Sequence, residues 1–363
     1  MQLAAAPPLY PRRRDILGAG LGALGISPTA HALPMKTLVF PRDRGAHLDF
    51  ATEWWYITGH AASKGQLFGF QLTFFRSRVA ATQAMTSEFA AKHLLFAHAA
   101  ITDVAGKKLW HDQRIARSGF GVANASEQDM AIKLRDWSLQ AQGASYTAHL
   151  PAQDFGLNLQ FTETQSVLLQ GKAGLSRKGP DAAQASYYYS QPQLVAAGSL
   201  RIKGQTFDIT PGTGSAWLDH EWSQSIMPPG ATGWDWIGMN LLDGSALTAF
   251  RLRDKQGNAV WDGGSFRPAK GALYTFSPGE VIFKPTRTWK SPLTQTTYPV
   301  EWIVRTPADF YTVKAVIDNQ ELDSRQSTGA IYWEGLSELI DSNGKRVGRG
   351  YLEMTGYAAP LRM

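Results

Sequence analysis

The 363-residue sequence contains no cysteine, which excludes disulfides, thiolate zinc sites and cysteine nucleophiles and leaves stability to a packed core. Charge is thin as well. Only 18% of residues are charged, and beyond Arg12-Arg13-Arg14 the basic residues form no run longer than pairs such as Lys107-Lys108 and Lys345-Arg346. With no basic stripe interleaved with aromatics, there is no nucleic-acid footprint. The sequence has no Gly-x-Ser-x-Gly elbow and no His-x-x-x-His spacing, and no phosphate-cradling Gly-rich loop with lysine follows the N-terminal segment. A serine hydrolase or a metalloenzyme of the usual kinds is therefore disfavoured.

The N-terminal stretch reads as a targeting segment. Pro11-Arg-Arg-Arg-Asp-Ile-Leu17 precedes a weakly apolar Gly/Ala run to Ile26 and the small-x-small site Ala30-His31-Ala32. This pattern is that of a twin-arginine export signal over 1–32, cleaved before Leu33 and read by the twin-arginine machinery, with a periplasmic or secreted destination. The run from Ile16 to Ile26 is too short to span a bilayer, so no stable membrane span is expected. Gly20-x-Gly22-x-x-Gly25 mimics a dinucleotide-binding pattern but has no preceding strand. Cleavage removes three arginines and one aspartate, taking the formal charge from +6 to +4.

What the chain does have is aromatic and β-branched runs broken by Gly, Pro, Asn and Asp. The 12 tryptophans and 35 glycines, with little 3.6-residue periodicity, point to an all-β protein. Expected strands include Glu53 to His60, Leu67 to Arg76, Leu94 to Thr102, Ala216 to Trp222, Trp234 to Leu242, Leu247 to Arg253, Val300 to Arg305 and Gly350 to Tyr357. A weak internal repeat relates Trp54-Trp-Tyr-Ile57 to Trp234-Asp-Trp-Ile237, and Trp217-Leu-Asp219 to Tyr351-Leu-Glu353. Two similar β units follow, one over 33–226 and one over 231–363, each able to close into a barrel or to pack as a sandwich.

Glu53-Trp-Trp-Tyr-Ile-Thr-Gly59, Phe70-Gln-Leu-Thr-Phe-Phe-Arg76, Tyr188-Tyr-Ser190, Trp217-Leu-Asp-His-Glu-Trp222, Gly233-Trp-Asp-Trp236 and Gly350-Tyr-Leu-Glu-Met-Thr-Gly-Tyr357 resemble the secreted AttH-like family, related to carotenoid 1,2-hydratases and often labelled predicted secreted hydrolases. The resemblance covers nearly all of the chain beyond the export segment. It implies two tandem lipocalin-like antiparallel β-barrels without a cofactor. Relatives include enzymes that add water to an isolated alkene by acid catalysis and cyclases that fold polyenes in the cleft between barrels.

Ala216-Trp-Leu-Asp-His-Glu-Trp222 is the densest chemistry in the chain. If extended, it puts Trp217, Asp219 and Glu221 on one face and Leu218, His220 and Trp222 on the other. The repeat assigns Trp217, Leu218 and Asp219 to architecture, because the second unit shares them, and leaves His220 and Glu221 peculiar to the first. Asp235 shares a strand face with Ile237, Met239 and Leu241. If that face points inward, its carboxyl is desolvated and its pKa raised, as suits a general acid. The candidate catalytic residues are thus His220, Glu221, Asp235 and Asp219, with His220 relaying a proton or orienting Asp235. Glu53, Trp54, Trp55, Tyr56, Tyr188, Trp222, Trp234 and Trp236 are the candidate ligand-binding residues. His47, Glu53, His220 and Glu221 have metal-ligand chemistry but no metal-ligand spacing. The expected ligand is an extended apolar molecule, a lipid or isoprenoid. The expected chemistry is hydration, hydrolysis or cyclisation, with a non-catalytic periplasmic carrier as the alternative.

Overall fold

Aromatic and β-branched residues alternate along Thr52–Ser63 (β1) and Gln66–Arg78 (β2), and the turn between them is Lys64-Gly65 with φ of 50° and 82°. Two successive positive φ angles make the tight hairpin turn whose twist matches its strands, and glycine supplies the second at no steric cost. In this computed structural model, which describes residues 32–225 and 227–361, the hairpin continues through His93–Asp103 (β3) and Lys108–Arg117 (β4). On its other side β1 pairs with Ser215–Ser225 (β6), which pairs with the long strand Ala185–Ile202 (β5). From β5 the sheet runs on through Phe155–Thr162, Ser145–Pro151, Trp137–Gln142, Ala131–Leu134 and Ala123–Ala125. All pairings are antiparallel, and β4 returns against Ala131–Leu134, which curls the 14-stranded sheet into a barrel.

The second sheet has 10 strands and repeats the plan. Gly233–Leu241 (β7) pairs with Ala246–Arg253 (β8) on one side and Arg346–Met354 (β10) on the other, and β10 pairs with Ala330–Ile340 (β9). The expected all-β fold of two lipocalin-like antiparallel sheets is what the structure has. Each expected strand falls within an observed one, except that Trp234 to Leu242 runs one residue past the end of β7 at Leu241 and Gly350 to Tyr357 runs past the end of β10 at Met354. The export segment lies outside the described residues, apart from Ala32. Among the described residues no helix is long and apolar enough to cross a membrane.

Strand alternation gives one apolar cluster inside each barrel and others between the sheets. Trp55, Ile57, Leu218 and Trp222 point into the first barrel, while Ile237, Met239, Leu352 and Met354 point into the second. The opposite faces meet each other: Tyr56 and Trp217 pack with Trp236, Phe250, Leu336 and Tyr351. Near the meeting sheets β1, β6, β7 and β10 are therefore buried on both sides, so that their polar residues, Glu53, Asp219, His220, Glu221 and Asp235 among them, are buried as well. Polar contacts hold the sheets in register. Asn240 Nδ2 donates to Ser215 Oγ at 3.0 Å and to the Ala216 carbonyl at 2.8 Å, and Thr102 Oγ1 donates to Gln320 Oε1 at 2.8 Å.

Candidate active site between the sheets

Strand register decides which carboxylates meet. Across the first sheet Tyr56 stands opposite Asp219, and Asp219 opposite Ser190. Across the second, Trp236 stands opposite Glu353, and Glu353 opposite Glu334. The two triplets are equivalent positions of the repeat, and all their members except Ser190 line a cavity of about 100 Å³ between the sheets. Tyr56, Thr73, Trp236 and Phe250 form its buried inner layer, and half-buried Trp54, Phe75 and Trp234 form its outer one. Its acidic groups are Asp219, Glu221, Glu334 and Glu353, and its one cation is Lys178.

The equivalent carboxylates are treated differently. Asp219 accepts hydrogen bonds from Ser190 Oγ at 2.5 Å, Tyr188 Oη at 2.6 Å and Trp217 Nε1 at 2.7 Å. Burial still raises its pKa to about 7 against those donors. In the second half Glu334 replaces Ser190, so the neighbour that donates in one sheet is an acid in the other. Cross-strand partners hold their Cβ atoms roughly 5 Å apart, close enough for two carboxyls to share a proton. Burial raises Glu353 to about 7, opposed by Trp234 and reinforced by Asp219 and Glu221. Burial and the neighbouring Glu353 raise Glu334 well above the carboxylate range. Glu334 Oε1 and the Tyr56 hydroxyl make no hydrogen bond of ordinary length within the protein, and the nearby phenol only partly offsets the rise at Glu334. The Glu334–Glu353 pair thus holds an acidic proton at neutral pH and keeps a free oxygen beside an aromatic wall.

Glu221 sits at the other end of the cavity. It accepts from Ser186 Oγ at 2.5 Å and pairs with Lys178 Nζ at 2.8 Å, and that ammonium lies 4.4 Å from the centre of the Phe250 ring. Tyr332 also lines the cavity, and its hydroxyl meets His98 Nδ1 at 2.8 Å, away from the carboxyls.

Alternation places the sequence-derived candidates in three separate environments. Trp54, Tyr56, Tyr188, Asp219, Glu221, Trp234 and Trp236 line the cavity. Glu53, Trp55, His220 and Trp222 are on the opposite face of the same strands, inside the first barrel. There Glu53 Oε1 lies 2.7 Å from His47 Nδ1 and 3.0 Å from His220 Nε2, and Arg76 Nε donates to Oε2 at 2.9 Å. Trp222 stacks on His47 at 3.7 Å, and Trp55 on His220 at 4.8 Å. Burial pushes Glu53 up, but hydrogen bonds from His220 and His47 more than reverse it and hold the carboxyl well below its ordinary range. Burial lowers His220 to about 4 despite the pull of Glu53, so the imidazole is neutral at neutral pH. Of the residues with metal-ligand chemistry, His47, Glu53 and His220 do converge, with their donor atoms within 4.8 Å of one another. The Arg76 guanidinium already balances Glu53 there, and Glu221 lies outside the cluster, in the cavity.

Asp235 points into the second barrel, as its strand neighbours suggested, but not as an isolated acid. Arg251 Nε at 2.7 Å, Arg253 Nε at 3.4 Å and the Tyr357 hydroxyl at 2.9 Å surround its carboxylate. The expected partnership of His220 with Asp235 is absent, because each closes a network inside its own barrel. Sequence reasoning missed the Glu334–Glu353 pair by treating repeated carboxylates as architecture. The signal was the change from Ser190 to Glu334 at one register position. Nothing in the sequence pointed to Lys178.

The sequence pattern of the AttH-like family matches residues 31–357. The chain belongs to this family. A Nitrosomonas europaea protein named for AttH shares 44% identity with it over 90% of this chain and 99% of that one, with a TM-score of 0.83. The fold of this AttH-like chain is also that of kievitone hydratase from Nectria haematococca, at 14% identity, 89% and 94% coverage and a TM-score of 0.70. CghA, in a structure with Sch210972, is similar at 11% identity, 93% and 97% coverage and a TM-score of 0.55. No curated protein sequence matches.

Proposed function

We propose that this is an exported enzyme that binds an unsaturated apolar molecule, an isoprenoid or lipid, between its sheets and adds water to it or cyclises it by acid catalysis. The observation that carries this reading is the Glu334–Glu353 pair: two facing, buried carboxyls with raised pKa values and a free oxygen, set against Tyr56, Trp236 and Phe250. A carboxyl kept protonated at neutral pH is the donor that an alkene needs. Its proton passes to one alkene carbon, and the π electrons leave a cation on the other. Aromatic faces and the remaining carboxylates stabilise that cation in a largely desolvated site. In hydration, water adds to the cation and returns its extra proton to the carboxylate. In cyclisation, a second double bond attacks and a proton is lost to the same base. Kievitone hydratase shares only the fold, but its name is consistent with hydration chemistry on such a scaffold.

The test is incubation with isoprenoid alkenes of graded length in ¹⁸O-labelled water, followed by mass spectrometry. The parent should yield labelled alcohols or isomeric cyclised products. Glu334→Gln and Glu353→Gln should each bind an apolar fluorescent probe as the parent does, yet lose product by about 10²- to 10⁴-fold. Probe binding without product in the parent protein would instead identify a carrier.

A further inference from the structure

The β2–β3 connection, 79–92, is a closed loop with a pinned neck. Val79 N donates to the Lys92 carbonyl at 2.9 Å, Gln83 Nε2 donates to the same carbonyl at 2.7 Å, and Thr82 Oγ1 donates to the Ala91 carbonyl at 2.8 Å. Such bonding makes a compact loop that holds a definite shape. Among its exposed side chains, beside polar Thr86, Ser87 and Glu88, are two large apolar ones: Met85 is 51% exposed and Phe89 72%. Phe120, from the turn after β4, stacks on Phe89 with ring centres 5.5 Å apart and is itself 55% exposed. Ile115 and Val122 extend the patch at 38% each.

The backbone under Phe120 is unusual. Gly119, Phe120 and Gly121 have φ of 105°, 57° and 68°, so a bulky residue occupies a left-handed conformation that its glycine neighbours adopt freely. A phenylalanine held there gains nothing from the core, since its ring faces solvent. Strain of this kind marks a position retained for something other than packing. Cations surround the rings. Arg117 lies 4.2 Å from the centre of Phe120 and donates to the Phe89 carbonyl at 2.6 Å. Arg78, Lys92 and Arg135 are exposed nearby, against the carboxylates of Glu88 and Asp136, the latter 3.9 Å from Arg114.

We infer that this tip docks on a lipid surface carrying anionic headgroups, with Met85, Phe89 and Phe120 entering the headgroup–acyl boundary and Arg78, Lys92 and Arg117 meeting phosphates. Exposed aromatics ringed by cations combine apolar burial with electrostatic attraction, the two contributions that hold peripheral proteins on such surfaces. The location fits delivery of an apolar molecule. Arg78 at the loop neck is three residues beyond Phe75, in the half-buried outer layer of the cavity, a distance of about 10 Å along an extended strand.

The experiment is co-sedimentation of the protein with vesicles of phosphatidylglycerol and phosphatidylcholine in equal parts, and with pure phosphatidylcholine, at low and high salt. Binding is expected on the anionic vesicles, weakening with salt, and a Phe89→Ser, Phe120→Ser double variant should lose at least about tenfold in partitioning. Phe89→Leu, Phe120→Leu should retain most of it, and both variants should melt with the parent. Equal sedimentation of parent and serine variant, or no binding to either vesicle, overturns docking. So does a dimer in light scattering that the serine variant dissolves, since the patch would then be a contact between copies. A soluble apolar probe reports on the cavity without vesicles, so failure of docking is distinguishable from failure of the proposed chemistry.

Discussion

Glu353 occupies in the second sheet the place that Asp219 occupies in the first, opposite an aromatic residue of the central strand, yet Asp219 faces Ser190 where Glu353 faces Glu334. One substitution in a duplicated frame converts a hydrogen-bonded carboxylate into half of an acidic pair. Three donors orient Asp219, so the chemistry has most freedom at Glu334 and Glu353.

Stability should report that arrangement through pH. Glu353 is raised from 4.5 to about 7 in the folded protein, so folding favours its protonated form. Its stabilising contribution is complete below pH 4.5 and is lost as pH climbs to about 7. Glu353→Gln should therefore flatten the decline in melting temperature across that interval. Melting curves of parent and variant at half-unit pH steps provide the check, and parallel curves would refute it.

The Glu53 cluster should behave with the opposite sign. Its folded pKa is depressed, so its contribution is present above pH 4.5 and fades as acid protonates the carboxyl. Removing one partner of a buried pair leaves the other uncompensated, and Arg76→Met should cost about 3–5 kcal/mol at neutral pH. Urea unfolding measures this directly. A loss under 1 kcal/mol would mean that the network is dispensable.

His220 and Asp235 belong to barrel interiors, so their variants should separate stability from binding. His220→Asn should lower stability by about 1–3 kcal/mol through the unpaired Glu53 oxygen and leave affinity for an apolar probe within about twofold. Asp235→Asn should do likewise. Fluorescence titration beside denaturant melts distinguishes the cases, and a selective loss of binding would refute the assignment of His220 to the barrel interior alone.

Gly238 sets the seat of Trp236. A methyl group there would collide with the Trp236 ring and lie 3.3 Å from Trp217, both rigid and held between the sheets. Gly238→Ala should cost about 1–3 kcal/mol and push the indole toward the cavity. Long apolar probes should then lose affinity before short ones, which a size series of ligands would show.

Alternation made the strands legible in sequence, along with the partition of Ala216 to Trp222 into two faces. It left open which face met water, the barrel or the other sheet, because period two distinguishes sides without naming them. Trp54 and Trp55 are adjacent and equally aromatic, yet one lines the cavity and the other stacks on His220. The repeat supplied the correct alignment of Asp219 with Glu353 but the wrong inference from it. Repetition shows that a position is used twice, and only the cross-strand partner, fixed by register, shows for what. Ion pairs such as Asp235 with Arg251 were beyond reach for the same reason.

Lys178, drawn over Phe250 and paired with Glu221, leaves no unpaired cation for an anionic group that enters the cavity. An uncharged molecule leaves that pair intact. A carboxylate would have to break the Lys178–Glu221 pair or arrive with its own counter-ion, whereas an ammonium would draw Asp219 and Glu353, both raised to about 7, into their ionised forms. The site thus sorts its occupants by formal charge before it sorts them by shape.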